Sequence, residues 1–128
     1  MDKLKILLII LPFVLFSCKK EYDYGNSELF EKIDLTDINI LKGYRTKFDN
    51  DTLRVKGKVT ISFENISIGN GDSWIWVDSF EPAVEFDTVY NNLNYREVEL
   101  IGLFDSKNTG HLGQYNGGFE KIYAIKTE

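Results

Sequence analysis

Leu53-Arg-Val-Lys-Gly-Lys-Val-Thr-Ile-Ser-Phe-Glu64 alternates apolar and polar side chains almost without a break. Leu53, Val55, Val59, Ile61 and Phe63 fall on one face. Arg54, Lys56, Lys58, Thr60, Ser62 and Glu64 fall on the other. Period two sustained this long predicts a strand with one buried face. Gly57 alone interrupts the apolar side, and a glycine there marks a bulge or a sharp bend at a barrel corner.

The device recurs downstream. In Glu97–Phe104, Val98, Leu100 and Phe104 point one way, and Leu100-x-Gly102-x-Phe104 echoes Val55-x-Gly57-x-Val59. Two strands bent at a central glycine predict a small, coiled, closed sheet. Between them, Ile66–Ile68 continue the pairing, Gly69-Asn-Gly-Asp72 is a hairpin turn signal, and Ser73-Trp-Ile-Trp-Val77 is the return strand. Phe86, Val89, Tyr90 and Leu93 recur at helical spacing and predict a short amphipathic helix. Phe119, Ile122 and Ile125 in the last strand are three apart, which predicts a bulge. Strand–strand–strand–helix–strand–strand is the order of an OB-fold. The expected fold is therefore mainly β: a five-stranded OB-like barrel with one short helix between strands three and four. Leu35, Ile38 and Leu41 add one or two helical turns before the barrel, with Thr36 or Asp37 as cap. Asp49-Asn-Asp51 reads as a turn; a calcium loop would also want a following glycine and a distant glutamate.

The first residues are an address. Lys3 and Lys5 precede the apolar run Ile6–Phe16, about half the length of a spanning helix. Leu15-Phe-Ser-Cys18 then places a small residue before the chain's one cysteine. This resembles a bacterial lipoprotein signal with its lipobox. The resemblance implies cleavage before Cys18, a thioether-linked diacylglyceryl group and an acylated (palmitate-type) N-terminus, which together hold a protein stably to a bilayer. The implied organisation is a signal peptide over 1–17, a lipidated cysteine and flexible tether over 18–27, and a single barrel domain over 28–128. No aspartate follows Cys18, so the same resemblance implies the outer membrane, on its periplasmic or surface face.

With Cys18 lipidated, the folded part has no disulfide and is held by its core. Loss of Asp2, Lys3 and Lys5 with the signal removes one acid and two bases, taking the net charge from −5 to −6. An acidic domain is a poor candidate for binding nucleic acid.

Arg54-Val-Lys-Gly-Lys-Val59, Phe63-Glu-Asn65, Trp76-Val-Asp78, Gly102-Leu-Phe-Asp105, Gly110-His-Leu-Gly113 and Tyr115-Asn-Gly-Gly-Phe119 resemble the pattern of a family of small uncharacterised bacterial proteins. Gly-x-Phe-Asp followed by Gly-His-Leu-Gly is its specific part. The sequence departs from the pattern at Ile66–Gly69. The resemblance implies the OB-like fold and leaves function open.

Candidate site residues gather in two places. Asp105, His111 and Tyr115 lie in or beside the glycine-rich segment Gly110–Gly118, which in an OB-fold would border the ligand; the alternative is that Asp105 and His111 pin the loop by bonding its backbone. Trp74 and Trp76 share one strand face, and Ile75 and Val77 share the other. Core packing of a tryptophan is the first expectation, and a stacking platform for a base, sugar or peptide is the second. Arg54, Lys56 and Lys58 form a basic stripe, which Glu97 and Glu99 would face across strands.

One histidine, no thiol after lipidation and no nucleophile motif argue against an enzyme. No metal or cofactor is expected. The sequence therefore points to a membrane-anchored, non-catalytic module binding a protein, peptide or glycan in the cell envelope. The alternatives are an inhibitor or immunity-type protein, which acidic charge would suit, and an oligonucleotide-binding OB-fold, which charge opposes.

Overall fold

A computed structural model describes residues 23–62, 65–78 and 92–127. Its strands are β1 (Asp23–Gly25), β2 (Thr52–Ser62), β3 (Asn65–Asn70), β4 (Ser73–Val77), β5 (Glu97–Asp105) and β6 (Gly118–Thr127). The predicted lipid site, Phe63, and most of the helix predicted over 86–93 lie outside the described residues. Asn92 and Leu93 are helical, and Leu93 is buried.

β2 carries the closure. Through Thr52–Lys58 it pairs antiparallel with β5, and through Lys58–Ser62 with β3. The change of partner falls beside Gly57, the predicted corner. A Cβ on Gly57 would crowd the carbonyl of Gly69 and the side chain of Ile68. β3 pairs antiparallel with β4, β4 runs parallel to β6 at Trp76–Gly118 and Val77–Phe119, and β6 pairs antiparallel with β5. The sheet thus closes on itself with one parallel contact, the OB-fold barrel that the element order predicted.

The interior follows the alternation. Leu53, Val55, Val59 and Ile61 of β2 are buried with Ile68, Ile75, Val77, Val98, Leu100, Phe104, Phe119, Ile122 and Ile125. Phe104 and Phe119 meet edge to face at 5.9 Å. The expected irregularity in β6 is present: its register against β5 shifts between Ile101 and Gly102 and again between Leu103 and Phe104. A Cβ on Gly102 would meet the carbonyl of Lys121 and the ring of Phe119. Gly102→Val should therefore lower stability by about 2 kcal/mol through overpacking, read as a lower urea midpoint at unchanged slope; a midpoint within error of wild type would count against this account of the bulge.

The N-terminal segment differs from expectation in one respect. Residues 23–25 are not tether. β1 pairs with Lys126–Ala124 of β6, Asn26 N–H donates to the Tyr123 carbonyl (2.9 Å), and Tyr24 packs against the core. Partial burial of an aromatic ring and an open β6 edge favour docking over a free chain. Beyond it come α1 (Leu29–Lys32), a 3₁₀ turn (Ile38–Ile40), α2 (Leu41–Tyr44) and a second 3₁₀ turn (Arg45–Phe48). Asp37 caps the first 3₁₀ turn by accepting from Asn39 N–H (3.0 Å). Ile38 and Leu41 enter the core, whereas Leu35 is half exposed.

Candidate functional site

The outer face of β3 and β4 lies beneath the loop joining β5 to β6. In β4, Ser73, Ile75 and Val77 are buried, and Trp74 and Trp76 lie half-buried on the outer face. This corrects the expectation of a core tryptophan. The barrel is filled by leucine, isoleucine and valine side chains and two phenylalanines, and the indoles are left outside.

Register places Trp74 opposite Gly69 and Trp76 opposite Ser67, with Thr60 of β2 opposite Ser67. Gly69 matters here because Trp74 lies directly on it, leaving no room for a Cβ. Both indole donors are occupied. Trp74 Nε1 donates to the Gly71 carbonyl (2.9 Å), and Trp76 Nε1 to Asp78 Oδ1 (2.9 Å). The platform therefore offers ring surface rather than N–H groups.

The glycine-rich loop is stitched to the edge of β4 that continues into its pairing with β6. Asn116 N–H donates to the Trp74 carbonyl (2.9 Å), and Trp76 N–H to the Gly117 carbonyl (3.0 Å). This brings Tyr115 onto Trp76, with ring centroids 5.2 Å apart and planes inclined by 58°. Gly110, at φ 66°, sits against both rings, where any side chain would displace them. Thr60, Ser67, Trp74, Gln114 and Tyr115 line a pocket of about 330 Å³.

The structure thus unites Trp74, Trp76 and Tyr115 and leaves the other candidates apart. Asp105 Oδ1 accepts from Lys107 N–H (2.9 Å) and shapes the turn. His111 opens an exposed 3₁₀ turn and joins none of these contacts. The loop is instead pinned by groups that the sequence reading did not assign to it. Asn108 Nδ2 donates to Asp78 Oδ2 (3.2 Å), and Asn108 Oδ1 accepts from Gly110 N–H (3.2 Å). Asp49 Oδ1 accepts from both N–H and Oγ of Ser106 (2.9 Å each). Those bonds hold the Asp49 carboxyl below its ordinary range. Their stabilisation is present above that range and is lost as pH falls through the lowered value.

Glu120 shows the opposite shift. A hydrogen bond with Asp105, then burial and the charges of Asp105 and Asp78, raise its pKa. A raised carboxyl favours the fold below its unfolded value and loses that contribution as pH rises through the folded one. Glu120→Gln should therefore raise the melting temperature at pH 7 and not below pH ~4. An equal gain at both pH values would contradict the repulsion.

The basic stripe is engaged elsewhere. Arg54 bonds Glu99 Oε1 at 2.8 Å, and Lys58 Nζ lies 5.8 Å from the ring centroid of Tyr95. Among the described residues, no group of three or more His, Cys, Asp or Glu side chains is placed to hold a metal ion.

Fold and face together define an OB-fold barrel with an aromatic outer platform roofed by a hydrogen-bonded loop. No protein-family model matches the sequence, and no curated protein does. Solved structures do. An aspartyl-tRNA synthetase so described from Leishmania major Friedlin is similar over 99% of this chain at 12% identity and a TM-score of 0.52; the chain spans 26% of its length, so the likeness is one of fold. The telomere capping protein Ten1 from Saccharomyces pombe is 15% identical over 74% of this chain and 80% of its own, at a TM-score of 0.47. The hypothetical protein ygiW from E. coli is 16% identical over 76% of this chain and 92% of its own, also at 0.47.

Proposed function

We propose that this chain is a lipid-anchored, non-catalytic binding module of the cell envelope. Its ligand face is the outer surface of β3 and β4 beneath the β5–β6 loop. One observation carries this reading: Tyr115 and Trp74 border an open pocket lined by three further hydrogen-bonding side chains, on the barrel face where OB-folds take ligands. Anchoring rests on the sequence, in which Ile6–Phe16 leads into Ser17-Cys18. An outer-membrane address follows from the same signal. The oligonucleotide reading shares the fold, but Arg54 of its basic stripe is committed to Glu99.

A photoreactive amino acid at Gln114, which is exposed and lines the pocket, tests the face in intact cells. Crosslinked species should form from position 114, be lost with Trp74→Ala, and not form from Lys121, exposed on β6. Equal labelling from both positions, or none from 114, would overturn the assignment.

A further inference from the structure

We infer that the ligand of this pocket is a neutral saccharide; the inference rests on the binding-module reading and narrows it. Three observations converge. First, the platform offers faces. With both indole N–H groups bonded internally, Trp74 presents its π surface, which carries partial negative charge. The C–H face of a pyranose ring is apolar and slightly positive, and stacks on such a surface without needing a donor. Second, the remaining lining is neutral and two-way. Thr60 and Ser67 hydroxyls and the Gln114 amide each donate and accept, matching sugar hydroxyls, which do the same. Third, the electrostatics disfavour anions. None of the pocket's lining residues among those described is cationic. Lys58, which register places in the Trp74 row, is drawn to Tyr95, and Asp78 stands beside Trp76. Among the described lining residues, a phosphate or carboxylate ligand would find no guanidinium or ammonium to meet it, and single-stranded nucleic acid also needs a positive groove for its backbone.

Trp74 and Trp76 are the chain's two tryptophans, so their emission reports this face directly. Full-length protein in a polyoxyethylene detergent, which carries no sugar headgroup, would be titrated with maltohexaose, cellohexaose and chitohexaose, and with oligothymidylate. At least one neutral hexasaccharide should shift the emission saturably, with an affinity unchanged between about 50 and 200 mM salt, where phosphate-driven binding falls steeply. Trp74→Ala should weaken it at least about ten-fold, and Trp74→Phe should retain most of it. Salt-sensitive binding of oligothymidylate with no response to any hexasaccharide would overturn the inference in favour of nucleic acid. Silence from every hexasaccharide would also overturn it. If crosslinking from position 114 persists in that case, only the saccharide class falls; if crosslinking is lost too, the binding face falls with it.

Discussion

Arg54→Ala should cost the fold about 3 kcal/mol, a large share of what a domain of this size has. Arg54 sits on the outer face of β2 and ties two parts of the chain together. Its Nη2 and Nε donate to Glu99 Oε1 at 2.8 and 3.2 Å. Its Nη1 donates to the carbonyls of Phe30 (2.8 Å) and Ile33 (3.2 Å), around the end of α1. The guanidinium also lies 5.5 Å from the Phe30 ring centroid. Only 8% of the Glu99 side chain is exposed, so truncating Arg54 leaves a buried carboxylate without its cation and two carbonyls without a donor. Arg54→Lys should recover only part of the loss, because an ammonium cannot serve all of these acceptors in one fork. Adding Glu99→Gln to Arg54→Ala should recover another part by removing the stranded charge. Urea unfolding measures all three. A loss below about 1 kcal/mol for Arg54→Ala would place the pair among ordinary surface ion pairs and refute its role.

Cys18→Ser should abolish membrane attachment while leaving the barrel intact. Serine keeps the size and polarity of the side chain but cannot form the thioether that lipidation requires. The apolar run before it is too short to span a bilayer, and no helix among the described residues is long and apolar enough to cross one. The first described strand begins at Asp23, downstream of Cys18. Wild-type protein should partition into detergent and carry acyl mass on Cys18, and the variant should do neither. An unmodified Cys18 in the mature wild-type chain, or cleavage elsewhere, would overturn the anchoring proposal.

The barrel was legible because its determinants are local. Alternation from Leu53 to Ile61 set the buried face of β2, and the glycines at 57 and 102 marked where the sheet turns and where β6 bulges. Spacing by three from Phe119 to Ile125 announced that bulge before any pairing was known. β1 was hidden because a three-residue strand in a polar stretch has no period to read. Its place is decided by the open edge of β6 and by Tyr24, whose partial burial depends on residues about a hundred positions away.

The site was half legible. Trp74, Trp76 and Tyr115 stood out by type, but a five-residue strand apolar on both faces cannot say which face is inside. The answer lies in tertiary packing: Ile75 and Val77 share one buried cluster with Phe104 and Phe119, and the indoles lie on the opposite face. His111 drew notice as the lone histidine, yet the loop is held by Asp49, Asp78 and Asn108. Those contacts join residues 30 to 57 positions apart, and no spacing within the loop encodes them.

The central claim is that this barrel binds through the Trp74–Tyr115 face. It is tested most directly by the indole N–H resonances of the ¹⁵N-labelled protein on addition of a soluble cell-envelope fraction. The account predicts that both indole signals and the amides of Gln114 and Tyr115 shift together, while Lys121 and Lys126 on β6 stay in place. Shifts confined to β6, or none at either indole, would contradict it.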